Sequence, residues 1–512
     1  MEKIIVSILL SLAVCGLHAA VPQIATSDSH TLALKVDGSL WAWGLNEVGM
    51  LGDGTTIDRI SPVQIGTGYS KISAGRFASF AIKSDGTLWA WGHNSEGSVS
   101  NFSGMLGDGT TTDRLTPVQI GSDFAEVVAS WYGGAAIKRD GTLWTWGQSG
   151  VSGMLGDGDL TPHTALTPRQ IGSGFVQVAS SQAHFLALKA DGSLWAWGLN
   201  DSGQLGDGTY ENRATPTYID SGFVTVTVGE YFSLGIKTDG SLWAWGWNAY
   251  GQLGLGFAGT AKDPDTTFET MTYSRPTRVG EDFVAVTTGS YHTHAIKRDG
   301  SLWGWGMAAY GSVGDGLPDT DPDGTGRNVT VPTQIGTGYW KMTNGGGNNN
   351  GFALKTDGSL WAWGLNQGLL GDGTMENHLA PVATGFNVLP SAGLAAEVTA
   401  SGPVERRTLL ANISPNSADG GKPACSFIMA ALPDGTLASL AEQGWETYSA
   451  TTPQSFACGS AAAVTKPLLI DADVSILSGT VVYLGYGLGD TPAQSFADML
   501  ERNLWVSGYQ VQ

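Results

Sequence analysis

The stretch Phe80-Ala81-Ile82-Lys83-Ser84-Asp85-Gly86-Thr87-Leu88-Trp89-Ala90-Trp91-Gly92 decides the fold, because the chain keeps returning to it. A short apolar run ends in a lysine, and an Asp-Gly pair supplies the positive φ angles of a tight hairpin turn. The return run alternates, so both indoles face one way while the leucine and a small residue face the other. Large rings on one face and small side chains on the other let neighbouring sheets nest.

The motif Asp-Gly-(Ser/Thr)-Leu-Trp-x-Trp-Gly begins at Asp37, Asp85, Asp140, Asp191, Asp239, Asp299 and Asp357, at intervals of 48, 55, 51, 48, 60 and 58 residues. Fourteen of the 19 tryptophans lie in it. Each copy continues into a polar residue, usually asparagine (Asn46, Asn94, Asn200, Asn248, Asn366), and a glycine-rich turn such as Gly49-Met50-Leu51-Gly52-Asp53-Gly54. A recurrent proline then leads into an outer strand such as Val63-Gln64-Ile65-Gly66. Several short strands per unit, seven units and no helical period predict an all-β radial repeat, a seven-bladed β-propeller. An open solenoid is the competing architecture, but no copy reads as a polar cap. The opening segment Val21-Pro22-Gln23-Ile24 matches the outer-strand pattern and is expected to complete the last blade.

The repeat ends near Pro390. Beyond it, Ser426-Phe427-Ile428-Met429 and Thr480-Val481-Val482-Tyr483 predict a smaller β-rich domain, in form a sandwich, with one short helix at Ala493 to Arg502. The expected organisation is a signal peptide at 1–20, the propeller at 21–388 and the second domain at 389–512. The signal reading rests on Lys3, the apolar run Ile4 to Val14, and Ala19-Ala20. Cys15 loosely matches a lipoprotein site, with Val14 a poor residue before it. The expected location is secreted, periplasmic or cell surface, with no membrane span. Removal of Cys15 with the signal leaves Cys425 and Cys458, and two cysteines in an exported chain predict one disulfide.

A net charge of -20 repels a phosphate backbone, and no basic cluster offsets it, so nucleic acid is excluded as a partner. The informative positions are those that vary while the frame repeats. One column holds Ser29, Phe77, Tyr132, Ala183, Tyr231, Tyr291 and Asn349; the column before it holds Asp28, Arg76, Trp131, Gln182, Glu230, Ser290 and Asn348. They fall beside the start of a strand and should ring one mouth of the propeller. Arg76, Phe77, Trp131, Tyr132, Glu230, Tyr231 and Tyr291 are therefore the candidate protein-contact residues; the alternative is that each ring covers its own loop. The next column carries His30, His184 and His292, expected to bond within their own blades and not to hold a metal. The Gly-Asp-Gly aspartates, from Asp53 to Asp372, are expected to stabilise turns. The insertion Asp319-Thr320-Asp321-Pro322-Asp323-Gly324 spaces carboxylates as calcium loops do, though Thr330 stands where a bidentate glutamate belongs, which makes calcium at 319–330 the one metal candidate.

The run from Gly229 to Gly254, and its copies over roughly 21–385, resembles the regulator of chromosome condensation repeat family. That resemblance implies the seven-bladed propeller. It offers guanine-nucleotide release as an alternative function, although the exchange residues of that family member find no match here. A secreted bacterial β-lactamase inhibitory protein of the same fold is similar in presenting aromatics at the column of Phe77, Tyr132, Tyr231 and Tyr291. No nucleophile elbow, zinc-protease motif or phosphate loop is present. The expected function is a monomeric exported scaffold that binds a protein, not an enzyme; an extracellular enzyme using the mouth as a pocket is the remaining alternative.

Overall fold

The computed structural model describes residues 22–388, apart from residues 36, 96–102, 181, 183, 260, 263–268, 319–326, 345–348 and 356–357, together with the backbone of strands between Ala395 and Gln510. It divides into one unit at Ala20–Val388 and a second that includes Leu389–Gln512.

Seven four-stranded antiparallel sheets make up the first unit, each with its strands in chain order. Blade 1 comprises Gln23–Thr26, His30–Leu34, Leu40–Gly44 and Arg59–Gly66; blade 2 repeats the plan from Tyr69–Ala74 to Arg114–Gly121. Blade 7 runs from Tyr339–Asn344 to His378–Asn387. The first strands touch one another in succession round the axis, ending with Tyr339–Asn344 against Gln23–Thr26. The ring is shut. A two-strand hairpin, Ala261–Lys262 with Glu269–Thr270, interrupts blade 5, and one 3-10 turn at Ala309–Gly311 is the sole helix among the described residues.

The paired tryptophans hold this ring. Thr31 pairs with Trp43 and Ala33 with Trp41, so the two indoles share a face while Leu40 and Ala42 take the other. The second tryptophan of each blade packs into the sheet before it. Trp91 joins Leu32, Leu40 and Ala42 of blade 1, and Trp43 joins Phe352, Leu360 and Leu370 of blade 7. Trp43 Nε1 donates to the Leu369 carbonyl at 2.7 Å, Trp91 Nε1 to Met50 at 2.8 Å and Trp245 Nε1 to Gln204 at 2.9 Å, so these indoles are buried without losing a hydrogen bond. The turn glycine opposite each indole has no room for a side chain. A Cβ on Gly52, at φ +77, would sit 2.7 Å from Trp91 Nε1. The first tryptophan is held differently: Lys83 Nζ lies 4.2 Å from the Trp89 ring centre and 5.3 Å from that of Tyr69, a cation–aromatic sandwich present in every blade.

Two expectations need correction. The segment around Gln23 is the innermost strand of blade 1, paired Ile24 to Ala33, and does not complete blade 7, which has four strands of its own. The ring therefore closes by side-chain packing between blades 7 and 1, not by strand exchange. In blade 2 the Asp-Gly hairpin has a three-residue loop, Ser84 to Gly86, in which glycine alone takes positive φ. Gly86 N–H donates to the Lys83 carbonyl at 2.8 Å, while Asp85 Oδ1 accepts from Thr87 N–H at 2.9 Å.

The second unit carries a three-stranded sheet (Ala395–Ser401, Arg407–Ser414, Val464–Ala472) and a six-stranded sheet centred on Pro423–Ala431. The helix expected at 493–502 lies outside the described residues.

Candidate functional site

The two variable columns lie in the loops joining first to second strands, as Arg76 and Phe77 do between Tyr69–Ala74 and Ala78–Lys83. The third strands end beside these loops: His93 N–H donates to the Phe77 carbonyl at 2.8 Å, and Trp247 N–H to Tyr231 at 2.9 Å. Residues just after each Trp-Gly pair thus join the same end of the ring.

Two groups form there. In the first, Arg76 lies 3.6 Å from Asp28 of blade 1, and its guanidinium sits 5.0 Å from the Phe77 ring centre and 4.4 Å from that of Trp131 in blade 3. In the second, Tyr291 donates its hydroxyl to Glu230 Oε2 at 2.6 Å, joining blades 6 and 5. Trp247 lies between Tyr231, Tyr250 and Tyr291, with ring centres 5.9, 5.5 and 5.5 Å away. Edge-to-face contacts of this kind make a stiff, half-exposed aromatic surface.

The groups are electrostatically one site. Burial raises the Asp28 carboxyl from its ordinary range to about 6; Arg76 pulls it down, and Glu230, on the non-adjacent blade 5, pushes it up. Blades 1 and 5 sense each other only across the axial opening. Tyr132 is raised by burial, against the pull of Arg76; Tyr231 is raised by burial and then by Glu230, Asp201 and Tyr132. Tyr291 is held in its protonated form by burial and its bond to Glu230, which keeps it a donor.

The structure therefore brings Arg76, Phe77 and Trp131 together, and Glu230, Tyr231 and Tyr291 together, with Tyr132 between them in electrostatic reach of both. Trp247, Tyr250 and Asp28 also belong and were not among the candidates. The column after Trp-Gly holds Leu45, His93, Gln148, Leu199, Trp247, Met307 and Leu365, so an indole at 247 is the signal that would have found it.

The other candidates resolve as frame or lie elsewhere. Asp53 Oδ1 accepts from Thr55 N–H at 3.0 Å and from Asn46 Nδ2 at 3.1 Å, while Oδ2 pairs with Arg59 at 2.7 Å. Asp108 and Asp207 repeat the set with Arg114 and Arg213, and Asp157 and Asp372 take His163 and His378 instead. These aspartates do stabilise turns. Of the three histidines, His30 and His184 bridge blades instead of bonding only within their own, while His292 is fully buried and makes no such bridge to a hydroxyl among the described residues. His30 Nε2 lies 2.6 Å from Ser79 Oγ of blade 2, and His184 Nε2 lies 2.9 Å from Ser233 Oγ of blade 5. Each hydroxyl donates back to the histidine's own blade, to the carbonyls of Met50 and Gln204. Full burial lowers both imidazoles to about 3. Asp319, Asp321 and Asp323 lie outside the described residues, and among those described no three His, Cys, Asp or Glu side chains gather as metal ligands. The backbone register sets Cys425 opposite Cys458 in the pair formed by Pro423–Ala431 and Ala457–Ser460.

Comparison with known proteins agrees with this architecture. The chain is 32% identical over 200 residues to the ultraviolet-B receptor UVR8 of Arabidopsis thaliana, covering 37% of this chain and 43% of that one. It is 29% identical over 196 residues to the human E3 ubiquitin-protein ligase HERC2, covering 36% of this chain and 4% of that one. The matches thus span less than half the length of these curated relatives. Among solved structures, Prp20p of Saccharomyces cerevisiae, described with its binding to Gsp1p and histones, aligns with a TM-score of 0.59 at 19% identity, over 74% of this chain and 90% of that one. Human WBSCR16 aligns with a TM-score of 0.55 at 19% identity, over 68% and 94%. The family model of the RCC1-like domain matches residues 9–272, and with seven blades closed on paired tryptophans the chain belongs to that family.

Proposed function

We propose that the chain is an exported protein-binding scaffold that takes its partner at the mouth lined by Arg76, Phe77, Trp131, Tyr132, Tyr231, Trp247 and Tyr291. One observation carries the reading: rings and a guanidinium from blades 2, 3, 5 and 6 gather at one end of the channel, held by contacts with one another and not by the repeat. Tyrosine, tryptophan and arginine are the side chains that anchor protein interfaces, because each offers a large rigid surface with one polar handle. Relatives that bind proteins, Prp20p among them, support the general mode but not a particular partner. The second unit serves attachment or a further contact, and the first twenty residues direct export.

Affinity capture from culture fluid and cell envelope, with the wild type and a Phe77→Ala/Tyr132→Ala/Tyr231→Ala/Tyr291→Ala variant, tests the reading. Loss of a captured protein at least 100-fold is expected, since an anchor contributes about 2 kcal/mol or more. Equal capture by a variant that keeps its tryptophan fluorescence overturns the mouth as the contact surface. A mature protein beginning near Val21 is the expected result of N-terminal sequencing, and an intact Met1 refutes export through this signal.

A further inference from the structure

Hydrogen-bond acceptors and donors are unevenly spread around the mouth. Blades 5, 6, 7 and 1 are consecutive and bring, in order, the Glu230 carboxylate, the Ser290 hydroxyl, the Asn349 carbonyl and the Asp28 carboxylate. Blades 2 and 3 bring the guanidinium and rings of Arg76, Phe77, Trp131 and Tyr132. Glu230 is 7% exposed and Ser290 4% exposed, so both are well withdrawn from solvent. The Ser290 hydroxyl and the Asn349 Oδ1 have no hydrogen-bond partner among the described residues. Ser290 occupies the same column as Asp28, Arg76 and Glu230, three of the groups that gather at the mouth.

Charge is unbalanced in the same direction. Asp28, Glu230 and Asp201, which acts on Tyr231, place three carboxylates near the opening, and the guanidinium of Arg76 is the one cation that acts on Asp28 among the described residues. That guanidinium is already shared between Asp28 and two rings. A buried acceptor left unpaired destabilises the fold, and surplus negative charge beside it adds to the cost.

We propose that the mouth is built to receive a basic side chain, an arginine or lysine on an exposed loop of the partner protein, inserted along the blade 5-6-7-1 arc between Glu230 and Asp28. Such a side chain carries only donors and no acceptor, and so complements the acceptor oxygens of Glu230, Ser290, Asn349 and Asp28. At its blade 5 end the arc carries the rings of Tyr231 and Trp247, which suit an approaching cation. The inference rests on the reading of the mouth as a partner site and adds the chemistry of the anchor.

The test uses the full chain and a fluorescein-labelled hexa-arginine amide, followed by anisotropy in about 150 mM salt so that diffuse attraction to an acidic protein is screened. The variants are Asp28→Asn/Glu230→Gln at the mouth and, as a control of equal charge, Glu211→Gln/Glu281→Gln, whose carboxylates are 81% and 66% exposed beside outer strands. Amides preserve shape, and the Glu230→Gln side chain can still accept from Tyr291. The mouth pair should weaken binding at least 10-fold and the control pair less than 2-fold. Equal weakening by both pairs, or by neither, overturns the basic anchor. In capture experiments, a partner lost by the aromatic quadruple variant but kept by Asp28→Asn/Glu230→Gln overturns this inference alone and leaves the partner site standing.

Discussion

Asp28→Asn should make the protein more stable, against the usual direction for a buried polar substitution. The Asp28 side chain is only 20% exposed, and burial is the largest reason its carboxyl stands near 6 in place of 3.8. Arg76 opposes that shift without cancelling it, and Glu230 adds to it. A raised carboxyl favours the neutral form in the folded state. Folding is therefore unhindered below about pH 4 and loses free energy as pH climbs through 6. A carboxyl raised from 3.8 to about 6 costs about 3 kcal/mol once both states are ionised. Asparagine reproduces the neutral acid in shape and removes that cost.

Urea unfolding followed by tryptophan fluorescence provides the measurement, because most of the indoles report on blade packing. The variant should gain about 2–3 kcal/mol at about pH 7.5 and only about 1 kcal/mol at about pH 4.5, where the wild-type carboxyl is itself mostly protonated when folded. Taking the difference between variant and wild type at each pH cancels every other titrating group. No gain at the higher pH, or a gain that does not shrink on acidification, refutes the claim that burial of Asp28 outweighs the pull of Arg76.

Other groups answer to different physics. Gly206→Ala places a Cβ 2.8 Å from Trp245 Nε1 at φ +80, whereas Gly222→Ala at φ +82 meets nothing nearer than Lys237 Cδ at 4.0 Å. Thermal unfolding should show Gly206→Ala costing about 2–4 kcal/mol and Gly222→Ala about 1 kcal/mol, and equal costs would mean that the indole does not set the limit. The buried imidazoles of His30 and His184 stay neutral down to about pH 3, while the unfolded chain takes up protons below 6.5. Stability should consequently fall on acidification from about pH 6.5 by about 1.4 kcal/mol per unit for each histidine, and His30→Gln should make that slope shallower; an unchanged slope contradicts the assignment. Peptide mapping without reductant should recover Cys425 linked to Cys458, and free thiols at both positions would exclude the disulfide.

The blade was legible because its chemistry is local and repeated. A lysine over a tryptophan, an aspartate capping its own hairpin, and an asparagine bonded across its own turn all lie within one copy of the motif, so the period displays them. Contacts between blades were less legible. His30 finds Ser79 in the next blade, a relation no single copy exposes, and the innermost position of Gln23–Thr26 depends on where the first copy begins. The mouth was only half legible. Variable columns singled out Arg76, Trp131, Glu230 and Tyr291, but Trp247 and Tyr250 arrive from a different loop, and Asp28 feels the charge of Glu230 only because the ring closes.

The frame also sets a standard against which the mouth can be judged. In blade 1 the Asn46 amide donates to Asp53, to Thr55 and to the Ile57 carbonyl, while its oxygen accepts from Leu51 N–H; nothing is wasted. The same chain leaves Asn349 Oδ1 and Ser290 Oγ without partners among the described residues and holds Asp28 at an elevated pKa. Frame atoms such as Trp146 Nε1, Ser149 Oγ and Gln252 Nε2 also lack partners among the described residues, but Ser290, Asn349 and Asp28 are set apart by falling on one arc of one opening. Selection for stability alone would have replaced Asp28 with a neutral side chain, since that change relieves the burial cost without touching the blade. Retained cost at a converging site is the mark of groups completed by something else. Stability and binding must then move oppositely on substitution at Asp28, a relation that no purely architectural role for the carboxylate would produce.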